Sequence, residues 1–267
     1  MSFEYTIFRL LYEKSLEGSR DLLPNEFRMS HFADCSWELF FSKIFPIQTE
    51  EGNPLIIKDK NTGVVTPVNG KAVSGTLLHE ALQFLLKDVI IEAERKISET
   101  LTSPEFPNVP VLLSGHVDID YEEDGRRFLV LVDGTKYLCD IKTLSTKNFE
   151  EIVGIQNMAE TSYSATKVKK ATPQANAYAF MSNVETFTIL WMDKDSLRYK
   201  VEPFKTNPKE FQDGIDKMAE VLSCVKKYQD GDRDIRPKFC GVTMCNYCDA
   251  FRRHCLGAQK LKKDGLV

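Results

Sequence analysis

The chain has 267 residues, 35 Lys plus Arg against 39 Asp plus Glu, a formal charge of -4 and 42% hydrophobic residues. A chain of that length and make-up can bury a core without disulfide staples, which excludes collagenous, disordered and mini-protein classes. The mild negative balance argues against coating nucleic acid by bulk charge but is compatible with a local basic groove.

The longest nearly apolar run, Leu82 to Ile91, is interrupted by Gln83, Lys87 and Asp88. It falls short of the ~20 residues that span a bilayer. Met1 to Lys14 has scattered charge and lacks the basic start, apolar middle and small-residue cleavage site of a signal peptide. A cytoplasmic protein with no membrane partner is expected. No repeat, low-complexity tract or linker divides the chain, so it reads as one domain, residues 28–267, behind an N-terminal helical arm, residues 1–27.

The arm reads as helical from Phe3 to Glu26, ending near Leu23-Pro24-Asn25. A second helix follows Ser30, carries Phe32, Trp37, Phe40 and Phe41, and stops at Pro46. Thr49 to Asn69, rich in turn residues, reads as loop and short strand. From Ser74 a long helix is expected, with Leu77, Leu78, Ala81, Leu82, Leu85 and Leu86 at helical spacing, Glu92 to Lys96 on its polar continuation and His79 in its second turn. Leu113 to Tyr121, Phe128 to Val132 and Tyr137 to Thr143 then read as strands, separated by Glu122 to Gly125 and by the strong hairpin signal Asp133-Gly134. Pro173 to Phe180 opens a helix, Thr186 to Met192 and Leu197 to Val201 are strands, and a helix follows Asn207-Pro208 with Phe211, Ile215, Met218, Leu222, Val225 and Tyr228 on one face. Helices alternating with groups of strands make an α/β or α+β sheet sandwich.

The strands carry the chemistry, because alternate residues of a strand share a face. His116, Asp118 and Asp120 point one way from Gly115 to Asp120, opposite Val117 and Ile119. In Cys139-Asp140-Ile141-Lys142-Thr143, Asp140 and Lys142 share a face. Carboxylates on two such faces need strong compensation if buried. A divalent cation supplies it, and oxygen ligands at this density suit Mg²⁺ or Mn²⁺, an added imidazole favouring Mn²⁺. The competing reading is a pair of solvated strand faces with Lys142 as a cross-strand ion-pair partner. Asp120 rivals Asp118 on its face, and Glu80 is a further carboxylate.

Four segments in order, Gly75-Thr76-Leu77-Leu78-His79, Gly115-His116-Val117-Asp118, Asp140-Ile141-Lys142-Thr143 and Gln174-Ala175-Asn176-Ala177-Tyr178, resemble the RecB-like branch of the PD-(D/E)xK nucleases. Its pattern is G-x-x-x-H, G-x-[IV]-D, [DE]-x-K-T and Q-x-x-x-Y. The resemblance runs from about Arg28 to Cys255. It implies a restriction-endonuclease-like mixed central sheet flanked by helices and metal-dependent cleavage of DNA. By motif match it implies that His79, Asp118, Asp140 and the backbone carbonyl of Ile141 hold the ion and that Lys142 assists catalysis. Gln174 and Tyr178, one turn apart on a helix, border the site. The two aspartates must reach one ion, so their strands are expected to be neighbours, about 4.8 Å apart, with Glu122 to Lys136 forming a hairpin excursion.

Seven cysteines occur, four of them within sixteen residues from Cys240 to Cys255. In a reducing compartment that crowding points to a metal site rather than to disulfides. Cys35 far upstream, with Cys245-Asn-Tyr-Cys248 and Cys255, is similar to the small CRISPR-associated exonucleases, AddB-type nucleases and phage recombination exonucleases. The resemblance implies a [4Fe-4S] cluster on Cys35, Cys245, Cys248 and Cys255 that joins the N- and C-terminal segments. Cys240 in place of Cys35 leaves a local Zn²⁺ site as the alternative. Cys139 and Cys224 lie on apolar faces and read as packing residues.

Lys167, Lys169 and Lys170, Arg252-Arg253-His254, and Lys260, Lys262 and Lys263 would track phosphates if they converge on the site. Trp37, Tyr163 and Tyr178 are candidates for stacking bases. The expected activity is a deoxyribonuclease acting on DNA ends or single strands. The alternative from another class is a non-catalytic nucleic-acid-binding or assembly subunit that keeps the fold and the cluster.

Overall fold

The computed structural model describes residues 22–44, 56–58, 65–67, 78, 81, 84, 92–123, 126–128, 130–132, 135–137, 139–159 and 162–238. Within them the fold is mixed α/β, with small sheets and helices packed against them. His79, Cys240, Cys245, Cys248 and Cys255 lie outside the described residues, as does the helical reading of the arm up to residue 21.

The first element among the described residues is a short strand, β1 (Glu26–Arg28), where the sequence suggested the end of a helix. β1 pairs in parallel with β5 (Pro110–Glu123). The buried Glu26 carboxylate fixes this start, accepting from the Ser114 hydroxyl at 2.5 Å and the Leu23 N–H at 3.1 Å. The helix expected after Ser30 is split into a 3-10 turn, Met29–Ala33, and α1 (Ser36–Ile44), with Asp34 extended between them. β2 (Ile56–Lys58) and β3 (Val65–Pro67) pair antiparallel in the segment read from sequence as loop and short strand. Residues 78, 81 and 84 are helical, as the leucine spacing predicts.

Glu92 to Lys96 correct the sequence reading. They open an eleven-residue strand, β4 (Glu92–Thr102), instead of extending a helix. Glu, Ala, Arg and Lys favour helix in isolation, but here they hydrogen-bond along β5 from Glu92↔Asp120 to Thr102↔Pro110. Tertiary pairing outweighs local propensity.

The segment between the two aspartates folds as successive hairpins. β6 (Arg126–Phe128) turns back on the end of β5, and β7 (Val130–Val132) pairs with β8 (Thr135–Tyr137) across the Asp133-Gly134 position. β9 (Cys139–Leu144) then joins a second sheet in the order β11-β10-β9, parallel to β10 (Thr186–Asp193), which is antiparallel to β11 (Tyr199–Lys205).

Beyond the helical residues 78, 81 and 84, the helices described after α1 are α2 (Thr146–Ile152), α3 (Tyr163–Met181) and α4 (Pro208–Gln229). α3 starts ten residues before Pro173, capped by the Ser162 hydroxyl, which accepts from the Ala165 N–H. Pro173 therefore sits inside the helix, at a typical cost of ~3 kcal/mol. Burial of Ala171, Ala175 and Ala179 along one face offsets that cost, because small side chains let the backbone lie close to its neighbours. α4 begins where Asn207-Pro208 predicts, with the Asn207 side chain accepting from the Lys209 and Glu210 N–H groups. Its apolar face buries Phe211, Ile215, Met218 and Val225. Cys224, also buried, is a free thiol whose titration is pushed up by burial, in keeping with a packing role. Among the described residues no helix is long and apolar enough to cross a membrane.

Candidate active site

β9 alternates as its sequence predicts. Ile141 is buried on one side, and on the other Lys142 Nζ lies 2.7 Å from Asp140 Oδ2. Asp140 is only 6% exposed and Lys142 24%. Withdrawing a carboxylate from water costs several kcal/mol, and the ammonium two residues along offsets it. The pair lies within one strand, not across two. Lys142 also donates to Gln174 Oε1 at 3.1 Å, so α3 fixes the direction in which the ammonium points.

One turn further along α3, Tyr178 is buried against β5. A Cβ on Gly115 would come within 2.8 Å of the Tyr178 hydroxyl oxygen and 2.6 Å of Met29 Cγ. Only glycine admits that approach. Gln174 and Tyr178 thus tie β9 to β5 through one helix face, and residues from three of the four sequence segments interlock. Asp118 lies three residues beyond Gly115 on β5, about 10 Å farther along the strand at ~3.3 Å per residue.

The expected ladder between the aspartate-bearing strands is not present among the described residues. β9 pairs with β10, and β5 with β1, β4 and β6, although β5 and β9 touch. One edge of β9 pairs with Thr188 to Asp193, so β9 extends the β10 sheet rather than that of β5.

Two features of this neighbourhood were not apparent from sequence. The registers align Asp140 with Ile189 and Glu202, and Lys142 with Trp191 and Lys200, so these six residues share one sheet face. Trp191 is fully buried and donates from Nε1 to Glu202 Oε2 at 2.8 Å, while Lys200 Nζ meets Glu202 Oε1 at 3.0 Å. The apolar composition of β10 was visible, but the register that sets Trp191 beside Lys142 was not.

The second feature is Asp193, fully buried at the end of β10. Burial pushes its carboxyl up, but hydrogen bonds from Ser196 Oγ at 2.5 Å, the Asp195 N–H, Arg198 and Thr146 outweigh that and hold it well below the usual carboxylate range. Thr146 begins the helix after β9, so the network anchors the exit of the strand that carries Asp140 and Lys142.

Cys35 is buried at the end of a tightly held segment and forms a disulfide, where the sequence reading expected a free metal-ligating thiolate. The Ser36 hydroxyl donates to the Lys238 carbonyl and Trp37 Nε1 to the Pro237 carbonyl, both at 2.8 Å. Residues next to Cys35 therefore grip the chain two residues before Cys240. On the other side, Lys217 donates to the Phe32, His31 and Asp34 carbonyls, and Lys170 pairs with Asp34 at 2.6 Å. Burial pulls the Lys217 ammonium down to about 8, against the opposing attraction of Asp34.

No protein-family model matches the chain, and no curated protein matches it significantly in sequence. A solved structure does share its architecture. The crystal structure of SSO0001 aligns with a TM-score of 0.54 and 13% identity, covering 97% of this chain and 98% of that one. The common fold therefore extends over nearly the whole chain. A looser likeness, with a TM-score of 0.30, links it to Rai1 from Scheffersomyces stipitis at 9% identity and to Candida albicans Rai1 in complex with pU5-Mn²⁺ at 11%. Each of those alignments covers 87% of this chain and 68% of the other.

Proposed function

We propose that this chain is a divalent-cation-dependent deoxyribonuclease of the RecB-like PD-(D/E)xK type, acting on DNA ends or single strands through a domain spanning residues 28–267. The observation that supports it best is the Asp140–Lys142 pair, oriented by Gln174 on the helix whose Tyr178 closes on Gly115. A buried carboxylate beside a partly exposed ammonium fits a cation site, because it supplies a hard oxygen ligand and a positive charge for a phosphodiester.

Asp118, Asp140, His79 and the Ile141 carbonyl would hold Mg²⁺ or Mn²⁺. The ion supplies Lewis-acid polarisation of the phosphate and a water of lowered pKa. Lys142 sets its ammonium against the negative charge that develops on the phosphate oxygens. Gln174 keeps the lysine from turning wholly onto Asp140, and Tyr178 sets the spacing between the helix and β5.

The test is incubation of the purified full-length chain with end-labelled single- and double-stranded DNA and Mn²⁺ or Mg²⁺. Lys142→Ala and Asp118→Ala should each lower cleavage by at least about 100-fold. Cleavage undiminished in both variants overturns the assigned site. DNA retained but never cut under either ion favours the non-catalytic binding subunit.

We further propose that Cys35, Cys245, Cys248 and Cys255 hold a [4Fe-4S] cluster. The support is the sequence pattern of Cys35 with Cys245, Cys248 and Cys255 and the hydrogen bonds that hold residues 36 and 37 to residues 237 and 238; the disulfide at Cys35 has to be reduced before its thiolate can ligate iron. An anaerobic preparation should be brown and contain iron that Cys35→Ser loses. A colourless preparation containing zinc selects the alternative.

A further inference from the structure

The face of α3 that carries Gln174 continues to the start of the helix. At about 100° per residue, Tyr163, Lys167, Lys170, Gln174 and Tyr178 fall within an arc of about 80°, while Lys169 falls on the opposite side. Exposure changes along the stripe. Tyr163 is 45% exposed and Lys167 exposed, Lys170 and Gln174 are partly covered, and Tyr178 is buried beside Gly115. The stripe therefore runs from solvent toward the Lys142 ammonium.

Its outer end pairs an aromatic ring with a cation. Lys167 Nζ lies 5.2 Å from the centroid of the Tyr163 ring. Lys170 is committed to Asp34 at 2.6 Å. Lys167 meets no carboxylate among the described residues, so its charge is available for a phosphate. A Tyr–Leu pair would satisfy a structural role at the first turn of a capped helix. An exposed ring beside an ammonium without a carboxylate partner is instead suited to a ligand with a flat π-face and a negative charge.

We propose that Tyr163 and Lys167 form a holding station for single-stranded DNA, in which the phenol ring stacks on a base and the Lys167 ammonium binds a neighbouring phosphate. The choice of DNA depends on the nuclease reading. The geometry also assigns a length. Tyr163 and Gln174 are eleven residues apart, about 16 Å along the helix at ~1.5 Å each. That distance corresponds to about five stacked nucleotides at ~3.4 Å per nucleotide. Strands shorter than this cannot occupy the station and the Lys142 site together while their bases stay stacked.

The experiment is fluorescence anisotropy of the full-length protein with labelled oligothymidylates of three and twelve nucleotides in EDTA, where no cleavage competes. Tyr163→Ala and Lys167→Ala should each weaken binding of the twelve-mer about tenfold, Tyr163→Phe should bind like wild type, and the three-mer, too short to reach the Lys142 site as well, should bind the wild type more weakly than the twelve-mer does. Lys167→Ala should also reduce the slope of log affinity against log salt by about one. Wild-type affinity of both alanine variants for the twelve-mer overturns the station. An equal loss on blunt duplex overturns base stacking, and tighter binding of a uridine twelve-mer than of the DNA overturns the choice of DNA. Failure of the nuclease reading is distinguishable, because it appears as unaltered or absent cleavage in Mn²⁺ and leaves these affinities intact.

Discussion

The hydroxyl oxygen of Tyr178 stands 2.8 Å from the point where a Cβ on Gly115 would sit. This approach brings α3 down onto β5, while Gln174, one turn earlier, reaches Lys142 on β9. Gly115→Ala should displace both the tyrosine and Met29. The expected cost of such overpacking is about 1–3 kcal/mol, read as a shift in urea midpoint. The proposed DNA cleavage should fall further than stability, because lifting Tyr178 also withdraws Gln174 from Lys142. Unchanged cleavage in Gly115→Ala would separate the helix contact from the chemistry.

Gln174 offers a narrower test. Gln174→Ala removes one acceptor from Lys142 while leaving the Asp140–Lys142 pair at 2.7 Å. One hydrogen bond to a charged group is worth about 1.5–3 kcal/mol, so cleavage should fall by about ten- to a hundredfold, with little change in DNA affinity measured in EDTA. Gln174→Glu restores an acceptor and adds a negative charge. If Lys142 needs only to be held, this variant recovers activity; if its charge must face the phosphate, it does not.

Much of this site was legible because it depends on short-range patterns. Asp140 and Lys142 share a face because they are two residues apart on a strand, and Gln174 and Tyr178 do so because they are four apart on a helix. The start of α4 followed from Asn207-Pro208 for the same local reason. What escaped depends on distant partners. Glu92 to Lys96 favour helix until β5 supplies a ladder, and α3 extends through Pro173 because packing outweighs one missing N–H. Trp191 beside Lys142 is a consequence of register, and register between parallel strands leaves no mark in either strand alone.

Lys217 links α4 to the segment that leads into Cys35. Lys217→Met leaves the His31, Phe32 and Asp34 carbonyls without this donor, and should cost about 2–3 kcal/mol at pH 7. The pH dependence has a definite sign. Burial lowers the folded-state value to about 8, below the ordinary lysine value of about 10.4. Between these values the unfolded chain binds more protons, so the contribution of this group to stability rises with pH across that window. Denaturant titrations at pH 7.5 and pH 10 should therefore show the advantage of wild type over Lys217→Met widening at the higher pH. A constant gap would mean that the ammonium is not desolvated in the fold.

Asp193 behaves in the opposite way at the other end of the scale. Its carboxylate receives hydrogen bonds from Thr146, Ser196, Arg198 and the Asp195 N–H, so ionisation is favoured in the fold relative to the unfolded chain. The resulting stability is fully present above the unfolded value of about 3.9 and is lost as pH falls toward the depressed folded value. Asp193→Asn keeps the shape but exchanges one charged acceptor for an amide that cannot accept from all these donors. The variant should unfold at lower urea than wild type at pH 7, and the two midpoints should converge below about pH 4 as the wild-type carboxylate protonates. Because Thr146 follows directly on β9, the loosened network should also slow cleavage at neutral pH without altering which ion supports it. Equal urea midpoints at pH 7 would show that the Asp193 charge does not hold the end of β9.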